Sequence, residues 1–155
     1  MKQTLIAYYS RTGGTRKVAE QLAAILDADL EVIREAKDRS GVLGLLSAAW
    51  DSTLKREADL ASKHSGEGRK TIVIATPIWG FRLPPAVRSY LKQVNLAGKK
   101  VCAVCTFYGM GGDWVLDAIA AMVPGGLAAR LALRRPAAQQ NLAATLKEWA
   151  KQVGR

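Results

Sequence analysis

Ser10, Thr12 and Thr15, interleaved with Arg11, Gly13 and Gly14, put three hydroxyls and two glycines into six residues. They follow a strand-like run, Thr4 to Tyr9, and precede a helical one. Hydroxyls and backbone N–H groups converge at such a strand-to-helix turn, the helix dipole favours negative charge, and glycine lets the backbone approach an anion. A phosphate is the chemistry this spacing suits. Read without analogy, Ser, Thr and Gly before a helix also make an ordinary cap and turn. Neither Gly-x-Gly-x-x-Gly nor Gly-x-x-x-x-Gly-Lys-Ser/Thr occurs in the chain, so a dinucleotide or nucleoside triphosphate is not expected.

Other chemistry-bearing residues point to less. Cys102 and Cys105 have the spacing of a redox dithiol, but they fall inside a predicted strand, not at a helix N-terminus where a thiolate is stabilised. Residues three apart in a strand face opposite sides of the sheet, so both are expected to be buried and inert. The single histidine, His64, lies in a polar stretch and reads as solvated; no metal site is expected. No cysteine is followed six residues later by arginine, which excludes the phosphate loop of small tyrosine phosphatases. Receiver domains need acidic residues where this chain has Tyr9-Ser10 and Thr76-Pro77. No side chain stands out as an acid, base or nucleophile.

The elements that must position the first loop follow from hydrophobic patterning. Thr4–Tyr9 is a strand, and Val18, Leu22, Ile25 and Leu26 share one face of the helix after it. Leu30–Ile33 is a short second strand. Residues 36–69 interrupt the alternation with an insertion whose Leu43, Leu46, Trp50 and Leu54 share a helical face. Thr71–Thr76 is the third strand, and a helix runs from about Pro84 to Val94, with Pro85 tolerated near its start. Lys100–Thr106 is the fourth strand, followed by a helix from Asp113, which can cap it, to about Val123. Ala128–Leu133 is a weaker fifth strand. Pro136 opens a last helix striped by Leu142, Leu146, Trp149 and Val153. Near-continuous apolar strands separated by helices imply a parallel sheet covered on both faces, an α/β fold in three layers. Ligands of such sheets bind beyond the carboxyl ends of the strands.

The 155 residues, 49% hydrophobic and 23% charged, suit one folded, water-soluble domain spanning 1–155. Two cysteines are too few for a disulfide framework, and the first apolar run is too short for a signal peptide. A reducing, cytoplasmic setting without a membrane span is expected. The 23 basic and 13 acidic residues give a net charge of +10. Residues 71–155 hold eleven basic and three acidic residues, a field that favours an anionic ligand or partner. The basic positions, Arg134 and Arg135 among them, are spread over several elements and read as solvated surface. A nucleic-acid module would interleave aromatics with them, and only Tyr90 does so here.

Taken in order, three loops resemble those of the flavodoxin family. Ser10-Arg11-Thr12-Gly13-Gly14-Thr15 is similar to its phosphate loop, Thr76-Pro77-Ile78-Trp79-Gly80 to its second flavin-contacting loop, and Thr106 to Asp113 to its third. The resemblance covers essentially the whole chain. It implies a doubly wound five-stranded parallel sheet in the order 2-1-3-4-5 and non-covalent FMN. Ser10 to Thr15 would cradle the phosphate. Pro77, Ile78, Trp79 and Gly80 would line one face of the isoalloxazine, with Trp79 stacked and Gly80 supplying a backbone able to change φ. Phe107 or Tyr108 would take the opposite face, with Thr106, Gly109, Gly111 and Gly112 near the ring edge. An ordinary core aromatic is the alternative for Trp79.

That resemblance implies electron transfer, or a small NAD(P)H- or quinone-linked reductase, serving a redox protein or a small-molecule acceptor. Family carriers are typically acidic and this chain is +10, so an acidic partner is the expectation. The insertion between strands 2 and 3 would be a flavin lid, a homodimer surface or extra core. A cofactor-free module that binds an anionic partner through its basic face is the alternative from a different class.

Overall fold

The computed structural model describes residues 1–35, 66–135 and 141–154. Most of the insertion, His64 and the Pro136 helix start lie outside them. The β-branched and apolar runs form five strands: β1 (Thr4–Tyr8), β2 (Asp29–Val32), β3 (Thr71–Pro77), β4 (Lys100–Phe107) and β5 (Ala129–Arg134). Between and after them lie α1 (Gly14–Leu26), α2 (Pro85–Gln93), α3 (Gly112–Ala120) and α4 (Leu142–Gly154).

All pairings are parallel and the strand order is β2-β1-β3-β4-β5. Leu5 sits opposite Asp29 on one side and Ile72 on the other, and Ile72 opposite Val101. Alternate residues divide between two cores, as the pleat requires. Ala7, Ile72, Ile74 and Ala103 pack with Tyr90 and Leu91 of α2 and Leu116 and Ile119 of α3. Ile6, Val73, Ala75 and Val104 pack with Val18 and Leu22 of α1 and Leu146, Trp149 and Val153 of α4. This is the three-layer arrangement expected of strands apolar on both faces.

Cys102 belongs to the α1/α4 core and Cys105 to the α2/α3 core. They face opposite sides of the sheet, free and buried. Burial raises both thiols, Cys105 to about 12, so neither forms a thiolate at neutral pH.

Two expectations need correction. Asp113 does not cap α3: the helix starts at Gly112, and its N-cap is Gly111 at φ 96°, with no side-chain cap. Asp113 instead lies in the first turn, 3.7 Å from Arg130. The helix also stops at Ala120, short of Val123.

At the amino end of the sheet, the buried Arg69 guanidinium bonds the Asp29 carboxylate and the Lys2 carbonyl. The Lys2 N–H donates to the same carboxylate at 3.2 Å. Hydrogen bonding from Arg69, then from Lys2, holds the Asp29 carboxyl below its usual range. A depressed folded-state pKa gives stability that is present above the unfolded value, about 3.9, and is lost as pH falls through the folded value. Asp29→Asn is therefore expected to lower Tm at neutral pH, with the gap to the native protein closing in acid. Thermal melts across pH check this, and a pH-independent gap would refute it.

Candidate functional site

The chain leaves β1 toward β2 on one side and returns to β3, β4 and β5 on the other. This reversal opens a crevice at the carboxyl ends of β1 and β3, where such sheets bind ligands. A cleft of about 640 Å³ lies there, lined by the loops after β1, β3 and β4.

In the first loop, Ser10, Arg11, Thr12, Gly14 and Thr15 line the cleft. Gly13 does not, but as N-cap of α1 it takes φ 88°, a left-handed turn that a Cβ would strain. The N-terminus of α1 has no side-chain cap and no acidic residue in its first turn. Its first N–H groups thus lack the usual partners. The Ser10 Oγ is buried without a hydrogen bond. Thr15 differs from its neighbours: it is buried, and its hydroxyl pairs with that of Thr106 at 2.9 Å, tying the first loop to the end of β4.

In the second loop, Pro77, Ile78, Trp79 and Gly80 line the cleft and Phe81 joins them. Trp79 and Arg82 exchange backbone hydrogen bonds of 3.0 and 2.9 Å around Gly80 and Phe81. Both central residues have positive φ, 52° and 59°, as in a type I′ turn. Glycine adopts this conformation freely, whereas Phe81 is strained in it and 59% exposed.

Trp79 is 7% exposed and belongs to the α2/α3 core, yet still lines the cleft. Its ring meets Tyr9 edge-on, with centroids 5.0 Å apart at 77°. The Tyr9 hydroxyl is anchored on Glu35 at 3.0 Å, and the Arg11 guanidinium carbon lies 5.8 Å from the Trp79 centroid. The two sequence readings of Trp79, core and cofactor platform, are thus compatible.

In the third loop, Thr106, Phe107, Tyr108 and Gly109 line the cleft, together with Met110. Tyr108 is 67% exposed. Gly111 and Gly112 are not lining residues. Gly112 leaves room for the Phe107 ring, which a Cβ there would meet at 2.5 Å.

Arg135 is not the solvated surface residue that the sequence suggests. It lines the cleft, with its guanidinium carbon 5.3 Å from the Tyr108 ring centroid. The signal available was its place at the carboxyl end of the fifth strand, the edge where every other loop of the cleft lies. Phe81 and Met110 complete the set that the sequence reading left out. Among the described lining residues there is no carboxylate, imidazole or thiol.

Five parallel strands in this order, helices on both faces and a cleft at the β1/β3 reversal define a doubly wound α/β protein of flavodoxin-like topology. Residues 3–151 match the flavodoxin family model, and the chain belongs to that family.

Solved structures share the fold. A candidate flavoprotein from Bacteroides uniformis is 24% identical with a TM-score of 0.78, over 96% of this chain and 97% of its own. A flavoprotein from Lactobacillus acidophilus, solved in complex with FMN, is 19% identical with a TM-score of 0.73, over 97% and 99%. An FMN-dependent NADH-azoreductase from Bacillus anthracis, also with FMN, is 14% identical with a TM-score of 0.60, over the full length of both. At these identities the likeness establishes the fold alone. No curated protein gives a significant match.

Proposed function

We propose that the chain binds FMN non-covalently in this cleft and works in electron transfer, as a carrier or as a small flavin-dependent reductase. One observation carries the reading: an uncapped helix N-terminus beside a buried, unbonded Ser10 hydroxyl opens directly into an aromatic cleft. A buried donor without a partner is uncommon in a folded protein, and a phosphate would satisfy it together with the first-turn N–H groups. Trp79, Phe107 and Tyr108 give the cleft the apolar, planar surfaces that an isoalloxazine ring needs.

FMN, when bound, supplies the one- and two-electron chemistry. The chain's own residues bind and orient it: Ser10, Thr12 and the start of α1 hold the phosphate end, while Trp79 and the third loop flank the ring. The described lining offers no carboxylate, imidazole or thiol to move a proton, which favours a carrier over an acid–base enzyme. The excess of basic residues after residue 70 favours an acidic redox partner.

Titration of the purified protein with FMN is expected to give a one-to-one complex with shifted visible flavin bands and quenched fluorescence. Reduction followed by reoxidation with a one-electron acceptor should return those bands. A protein that FMN does not reconstitute would overturn the reading in favour of the cofactor-free module.

A further inference from the structure

We propose that Arg135 is a phosphate clamp, a cation that closes over the monoester end of the bound flavin and sets the preference for a phosphorylated flavin over an uncharged one. The inference rests on the FMN reading and assigns it a residue outside the three loops.

The backbone places Arg135 firmly. Phe107 pairs with Arg134 across β4 and β5, and the next N–H, that of Arg135, donates to the Phe107 carbonyl at 2.6 Å. The residue is therefore fixed at the carboxyl edge of the sheet. From there its side chain crosses the end of β4 to the first turn of α1, where an added Cβ on Gly14 would fall 1.8 Å from Nη1. Its guanidinium also lies by the Tyr108 ring. One cation thus spans the gap between the first and third loops.

The charges around it ask for an anion. Arg130, five residues earlier on β5, is neutralised by Asp117 at 2.8 Å and Asp113 at 3.7 Å. Among the described residues no carboxylate pairs with Arg135. Its head instead sits against the positive end of the α1 dipole, whose first turn has neither acidic residue nor side-chain cap. Two positive potentials are held together there, half-buried, in the cleft that Ser10 with its unbonded hydroxyl also lines. A dianionic phosphate answers all three, and the planar guanidinium suits it through paired N–H donors.

Gly14 acquires a reason as well. Its φ lies outside the left-handed region, so backbone conformation does not demand glycine. A side chain there would occupy the seat of the guanidinium. Gly14→Ala therefore displaces the flexible end of Arg135 while favouring the helix, and it tests the clamp without removing the arginine.

The experiment is a fluorescence titration of the full chain with FMN and with riboflavin, for the native protein, Arg135→Gln, Gly14→Ala and the double variant. Loss of a charge-assisted contact is expected to weaken FMN by roughly 10- to 100-fold in Arg135→Gln, with riboflavin affinity unchanged. Gly14→Ala should show the same selective loss. The double variant should bind no worse than the weaker single one, because both act on one contact. Native preference for FMN that persists undiminished in Arg135→Gln would overturn the clamp and leave the FMN reading standing. Equal weakening of both flavins would overturn it too, since the contact would then not be to phosphate. A native protein that does not distinguish FMN from riboflavin would overturn the phosphate site itself, and the clamp with it.

Discussion

FMN is expected to bind more tightly than riboflavin by about two to four orders of magnitude. Two charge-assisted hydrogen bonds from the first loop, at about 1.5–3 kcal/mol each, give a gap of about 3–6 kcal/mol. Ser10 and Thr12 line the cleft and can donate them, whereas the Thr15 hydroxyl also pairs with that of Thr106. The two threonine substitutions should therefore behave differently. Thr12 is exposed, so Thr12→Ala should narrow the FMN to riboflavin ratio and leave stability alone. Thr15→Ala leaves the buried Thr106 hydroxyl without its partner, and should lower stability by about 1–3 kcal/mol whatever it does to binding. Parallel flavin titrations and urea unfolding separate the two. Equal affinity for FMN and riboflavin in the native protein would remove the phosphate from this loop.

That difference between Thr12 and Thr15 marks what a sequence can carry. β1, β3 and β4 are legible because each is apolar on both faces, the edge strands β2 and β5 carry weaker, half-exposed runs, and the parallel sheet follows from the alternation of strands with helices. Cys102 and Cys105 were placed on opposite faces by the period of a strand alone, and the two cores contain them so. The order of the strands came from the family resemblance, since no local pattern specifies which strand lies beside which.

The three loops were legible for the same reason as the fold: each follows a strand directly, so its position in the chain fixes the edge of the sheet on which it lies. Contacts between loops were not. The bond between Thr15 and Thr106 joins residues 91 positions apart. Arg135 reaches the cleft from the far edge strand, and only the register of β4 on β5 brings it there. Asp113 was misjudged locally: the left-handed turn at Gly111 starts α3 early, so the aspartate falls inside the first turn instead of at the cap. The strained turn at Phe81 breaks the residue preferences of its own type, so no sequence rule would have found it.

Trp79→Ala is expected to damage folding and binding by separable amounts. The side chain is 7% exposed, packed in the α2/α3 core and braced edge-on by Tyr9. Truncating so large a buried aromatic costs about 3–5 kcal/mol of stability through lost burial and the cavity left behind. The same ring lines the cleft, and loss of a stack on the isoalloxazine should weaken FMN by a further 1–2 kcal/mol, roughly the scale of aromatic pairing beyond area. Trp79→Phe keeps a face for stacking and much of the volume, so it should recover most of the affinity and only part of the stability. Denaturant unfolding without flavin measures the first effect, and FMN titration at a temperature where the variant is folded measures the second. If unfolding is unchanged, the core role falls. If FMN affinity and fluorescence quenching are unchanged in the folded variant, Trp79 only packs, and the stacking surface passes to Tyr108 across the cleft.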